Sequence, residues 1–221
     1  MTITLVFLAA IMATVIGWLL RQTLGTQPWV SSAADDAVSG NSLETNAKTI
    51  GLTTFLAVAT SLFALFISAY TIRMRMGADW IPLTEPQLLW LNSGFLVLSS
   101  IAYHWTRNAA VAGRSERLKP GLILAGAFTL LFLVGQLTAW QGLYATGVTV
   151  SGNPANAFFY LLTALHGLHL LGGVWVWARS LIRVFGGADA NTVRLSVELC
   201  TVYWHYLLLV WIVLFGLMLT T

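Results

Sequence analysis

The stretch FFYLLTALHGLHLLGGVWVW, Phe158–Trp177, decides how the chain is read. Twenty residues without Asp, Glu, Lys or Arg suffice for an α-helix to cross a hydrocarbon core of about 30 Å. Yet His166 and His169 stand three positions apart on one face of that helix. Polar groups in lipid persist where they find partners, so the pair binds a metal, moves protons or joins helices.

Working outward, the 221 residues are 57% hydrophobic and 9% charged, against roughly a quarter charged in a soluble domain. This composition indicates a membrane protein. The pI of 9.3 reflects a net charge of only +3, and the basic residues are scattered between apolar runs, which excludes a nucleic-acid interface. The lone Cys200 lies inside an apolar run and forms no internal disulfide.

Six apolar stretches are long enough to span: about 3–20, 50–72, 87–105, 120–142, 155–182 and 197–219. The expected fold is therefore all-α, a polytopic membrane bundle of six helices in a single domain over 1–221. Start signals are Pro120, Pro154 with Asn153 as its N-cap, and Ser196 ahead of Glu198. The fifth stretch would run about 42 Å and should tilt or project from the hydrocarbon. The first has no basic residue before it and Arg21 after it, the reverse of a secretory signal, and is read as a retained helix. Residues 21–49 then form a polar cytoplasmic loop. Alternation puts nine of the eleven basic residues on one side, leaving Arg73 and Arg75 on the other. The positive-inside rule makes the nine-residue side cytoplasmic, with both termini outside.

An ionisable group at mid-membrane costs about 2.5–3.5 kcal/mol and usually marks function. Here Asp35, Asp36, Glu44, Asp79, Glu85, Glu116, Asp189 and Glu198 all fall in loops or at span ends, which argues against a proton relay or ion-coupled transport through this chain alone. The histidines are His104, His166, His169 and His205. His166 and His169 point the same way and do not clamp one haem between them. A copper or zinc site would need His205, at about 8 Å of vertical mismatch. Alternatively the pair hydrogen-bonds to neighbouring helices, with Gly173 and Gly167 admitting a second backbone. Trp18, Trp80, Trp105, Trp140, Tyr144 and Trp177 lie at span ends as an interfacial belt, a quinone pocket being the sharper alternative. Arg107, Arg114, Arg117, Arg179, Arg183 and Arg194 are candidates for anionic headgroups.

Three segments, GLTTFLAVATSLFALFISAY (51–70), NPANAFFYLLTALHGLHLLGG (153–173) and ELCTVYWHYLLLVWIVLF (198–215), resemble subunit III of haem-copper terminal oxidases, the cytochrome c oxidase subunit 3 family. The resemblance covers 50–219, the five-helix core of that family. It implies a structural, lipid-binding subunit of a bacterial cytoplasmic (inner) membrane oxidase, with no catalytic centre, haem or copper of its own. Those cofactors would sit on subunits I and II, subunit I being the direct packing partner whose proton uptake this chain supports. His166, His169, Gly173, Trp204 and His205 are then packing or lipid-contact positions. The chain departs from the family where Ala59, Ala139 and Leu208 replace acidic residues found in many members. Subunit III of a quinol oxidase and the accessory subunit of nitric oxide reductase stay open as alternatives, as do a stand-alone haem- or copper-binding oxidoreductase and a permease.

Overall fold

A computed structural model describes Ala13, Gly17 and residues 40–220 apart from 78, 84 and 85, with side chains from residue 47 onward. Five α-helices are described: α1 (Gly40–Met76), α2 (Leu88–Val111), α3 (Leu118–Ala145), α4 (Pro154–Phe185) and α5 (Ala190–Leu219). A 3-10 turn at Ser115–Arg117 precedes α3, and the described residues include no strand. Four segments, Ala47–Met76, Ser115–Ala145, Pro154–Phe185 and Ala190–Leu219, are long and apolar enough to cross a membrane. The 24-residue α2 is long enough, but Asn92, Ser99, Ser100, His104 and Arg107 dilute its hydropathy. Against the expectation of six spans, five helices are found among the described residues, four of them long and apolar enough to cross a membrane. The stretch 3–20 lies outside them except for Ala13 and Gly17, which are helical.

The helices outrun the apolar stretches. The second expected span, 50–72, belongs to a helix that begins at Gly40, inside the segment read as a polar loop. The last helix begins at Ala190, so Ser196 is internal and Asp189 occupies the N-cap position. Its first turns are held by backbone bonds and by the i,i+4 pair Arg194–Glu198 at 2.9 Å. Likewise α3 starts at Leu118, two residues before Pro120. Hydropathy marks the length matched to lipid, whereas the helix ends where its hydrogen bonds are capped. Only the start of α4 follows its signal closely: the Asn153 side chain accepts from Ala155 N–H at 2.6 Å, with Pro154 in the first turn.

The chain divides into two compact units, residues 1–65 and 66–221. Of the first, the described part is essentially the opening of α1, in which Leu56, Ala59 and Phe63 are buried at three- and four-residue spacing. The second holds the end of α1 and α2–α5. Within it α2 lies against α3 and α5, and α4 lies against the same two, giving a closed ring of four antiparallel helices. Short connections enforce that order. Helices α2, α3 and α4 end the same way, with Gly113, Gly147 and Gly187 at positive φ. At each end the next residue's N–H reaches back five positions, Arg114 to Ala109, Val148 to Leu143 and Ala188 to Arg183. That bond pattern satisfies terminal carbonyls and requires a left-handed residue, which glycine adopts without strain.

Packing inside the ring depends on small residues opposite large ones. A Cβ on Gly126 would strike the Trp177 indole, and one on Gly173 would lie 2.7–2.9 Å from the rings of Tyr203 and Trp204. Tyr103, Phe132, Phe159, Trp204 and Trp211 are among the largest fully buried side chains.

Candidate functional site

His166 is fully buried. Its Nε2–H donates to the Leu207 carbonyl on α5 at 3.1 Å, and its ring lies against Phe132 and Trp211 at 5.6 and 5.1 Å. A carbonyl only accepts, so this bond fixes the tautomer and leaves Nδ1 as a bare acceptor. His169, one turn along, is half-buried and donates Nδ1–H to the Leu165 carbonyl of its own helix at 2.7 Å. The Tyr203 hydroxyl donates to the His169 carbonyl at 2.8 Å, and two residues of α5, Tyr203 and Trp204, close over Gly173.

The Trp204 indole N–H crosses the ring to the Thr129 hydroxyl at 2.9 Å. Thr129 donates to the Ala125 carbonyl at 2.9 Å and lies 2.8 Å from the Ser99 hydroxyl, which also reaches that carbonyl. Thus α2, α3 and α5 are tied by one short polar chain, all of it buried. Trp177, expected in an interfacial belt, donates to the Leu122 carbonyl at 2.8 Å, and Trp140 donates to Thr163 at 3.1 Å. Both join helices; Tyr144, by contrast, is 73% exposed.

His205 faces elsewhere. It is exposed, its Nδ1 is 2.6 Å from the Ser100 hydroxyl, and its ring stacks on the exposed His104 at 5.8 Å. His166, His169 and His205 therefore do not converge. Among the described residues no group of three or more His, Cys, Asp or Glu side chains could hold a metal. The described carboxylates Asp79, Glu116, Asp189 and Glu198 all lie outside the buried interior. Ala59 and Ala139 are buried and Leu208 is half-buried. Outside the spans, Arg73 donates to both carboxylate oxygens of Asp79 at 2.9 and 2.8 Å. These bonds, with a backbone contact, hold the Asp79 carboxyl below its usual 3.8. Of the arginines proposed for headgroups, Arg114, Arg179, Arg183 and Arg194 are exposed and Arg107 is half-buried.

Sequence reading did not single out the buried polar residues Asn92, Ser99, Thr106, Thr129 and Gln136. Their spacing was the available signal. Asn92, Ser99 and Thr106 recur every seven residues, as do Thr129 and Gln136, the period that keeps side chains on one seam of a packed helix.

A family model described as cytochrome c oxidase subunit III matches residues 4–220. The chain is similar to a probable cytochrome c oxidase subunit 3 of Mycobacterium leprae, 30% identical over 177 residues, covering 77% of this chain and 86% of the relative. A cytochrome c oxidase subunit 3 of Synechocystis is 31% identical, covering 75% of this chain and 72% of that one. One from Yarrowia lipolytica is 26% identical, covering 73% and 60%.

Proposed function

The chain belongs to the cytochrome c oxidase subunit III family, and from that premise we propose that it serves as the non-catalytic third subunit of a bacterial terminal oxidase. In this reading the chain lies in the cytoplasmic membrane with both termini periplasmic. The chain packs directly on subunit I, in a complex that includes subunit II, and supports the proton uptake of subunit I. The haems and copper belong to those partners. Phospholipid binds along the subunit, with Arg107, Arg114, Arg179, Arg183 and Arg194 at the headgroup level.

The observation that carries the proposal, beyond family membership, is what the polar interior does. His166 bonds to a neighbouring helix, His169 bonds to its own helix, and Trp204 ties α5 to α3. These contacts make a scaffold, and the described interior offers no carboxylate for acid–base work. Purification through a tag on this chain in mild detergent, with mass spectrometry and a reduced-minus-oxidised spectrum, tests the proposal. The expected result is co-purification of a haem-copper subunit I to which all haem is assignable. A stable chain recovered alone, or haem bound to it, overturns the reading.

A further inference from the structure

We propose that the outer face shared by α2 and α5 around His104 and His205 docks a transmembrane helix of a partner subunit, one that presents a carboxylate at the level of the two imidazoles. The proposal rests on the reading of this chain as one subunit of a larger oxidase, and adds the face and the chemistry of the contact.

Four polar side chains meet there. The Ser100 hydroxyl lies 2.6 Å from His205 Nδ1, the His205 ring stacks on that of His104 at 5.8 Å, and Arg107, one turn on from His104, acts electrostatically on His205. Both histidines are exposed and Arg107 is half-buried. Among the described residues neither His104 nor Arg107 has a hydrogen-bond or ion-pair partner. Glu198, seven residues before His205 on α5, is taken by Arg194 at 2.9 Å. The face therefore carries surplus N–H donors and an unbalanced positive charge.

Its depth rules out bare lipid. At 1.5 Å per residue, His104 stands about 24 Å from the start of α2 and about 10 Å from its end. Whichever end meets the surface of a hydrocarbon layer about 30 Å thick, the imidazoles lie several ångströms inside it. Polar side chains at such depth face other protein or a watery cavity. A headgroup phosphate meets Arg107, whose long side chain reaches outward, but the short histidines stay below it. The rest of the face suits a helix. Val97 and Ile101 on α2, and Leu209 and Ile212 on α5, continue the two histidine rows at three- and four-residue spacing and are 37–59% exposed, forming ridges on which a third helix packs. A carboxylate from that helix only accepts, so it answers both the donors and the charge.

The test replaces Ile101 and Leu209 in turn by photo-reactive benzoylphenylalanine, irradiates the membranes, and identifies the adducts of the purified assembly by mass spectrometry. Both positions should cross-link to the same membrane segment of a different chain, and that segment should contain Asp or Glu. Adducts with lipid alone, with this chain itself, or with a segment lacking a carboxylate would overturn the proposal. Lipid adducts in an assembly that still holds a haem-copper subunit I would remove this face and leave the proposed function standing. Cross-links to a carboxylate-bearing segment in an assembly without such a subunit would do the reverse. In a second arm, Arg107→Glu should lower the partner recovered per chain by about tenfold or more, since like charges across an interface are strongly disfavoured. Changing the cross-linked carboxylate to lysine should then restore recovery, and a failure to restore it would count against a paired contact.

Discussion

Two levels of the same four-helix ring solve one problem differently. At the level of Ser99, Thr129 and Trp204, each polar side chain has a partner within 2.9 Å. Seven residues along α2 and α3, at the level of Asn92 and Gln136, the carboxamides bond to no described residue. The helices, spacing and burial are alike, so the side-chain chemistry makes the difference. A hydroxyl needs few partners and reaches the carbonyl four residues back on its own helix, as Thr129 does to Ala125. A carboxamide has two polar atoms to satisfy, N and O, on a planar head that does not fold back so readily. The first level locks helices by hydrogen bonds; at the second the Asn92 carboxamide is packed against Gly135 instead.

The largest effect should come from wedging the locked level apart. Gly173→Leu drives a side chain into Tyr203 and Trp204, and overpacking of this kind costs about 1–3 kcal/mol. A marked fall in the thermal midpoint of the purified assembly is expected, while an unchanged midpoint would mean that α4 and α5 are free to separate. Next, Thr129→Val keeps the shape but removes the acceptor of the Trp204 indole. A buried donor left unmet costs about 1–3 kcal/mol, and Thr129→Ser should recover most of the loss in the same thermal measurement. If valine proved neutral, the locked level would be no tighter than the other.

His166→Leu removes one hydrogen bond, to Leu207, together with an unmet acceptor. Interhelical bonds in membranes average about 0.6 kcal/mol, so the midpoint should fall less than with Thr129→Val. If the proposed function holds, haem per subunit I should stay constant in the spectrum, and a lost absorbance band would assign His166 a ligand role. The smallest effect concerns Asp79, at the surface. Its carboxyl is held below the ordinary value by Arg73, so the ion pair contributes at neutral pH and its contribution disappears as pH falls through the lowered value. Relative to the intrinsic amide rate at each pH, protection of residues 79–83 should fall at acid pH in the native chain, and Asp79→Asn should remove that dependence.

Much of the fold could be read from the apolar lengths and the punctuation around them. Asn153 and Pro154 start α4 where expected, and the segments around His166 and Trp204 carry the family likeness. The starts of α3 and α5 could not be read this way, because Lys119, Arg194 and Glu198 continue a helix beyond the apolar stretch without disturbing its backbone bonds. The candidate site was half legible. His166 stood out because imidazole is conspicuous in an apolar run, whereas Asn92 and Gln136 looked like ordinary polar interruptions until their seven-residue spacing met a neighbouring helix.

The sequence alone determined that the chain builds apolar helices of membrane length, and its motifs determined the family. It also left carboxylates out of the span interiors. Only the tertiary structure decided which face of each helix turns inward. It buried His166 and left His205 exposed against His104, although both stand in similar apolar surroundings along the chain. The reason is that a lipid-facing surface and a protein-facing surface are both apolar, so the contrast that marks the inner face of a soluble helix is absent. Inward and outward are separated by the fit of Gly126 to Trp177 and Gly173 to Trp204, and that fit exists only once the helices are together.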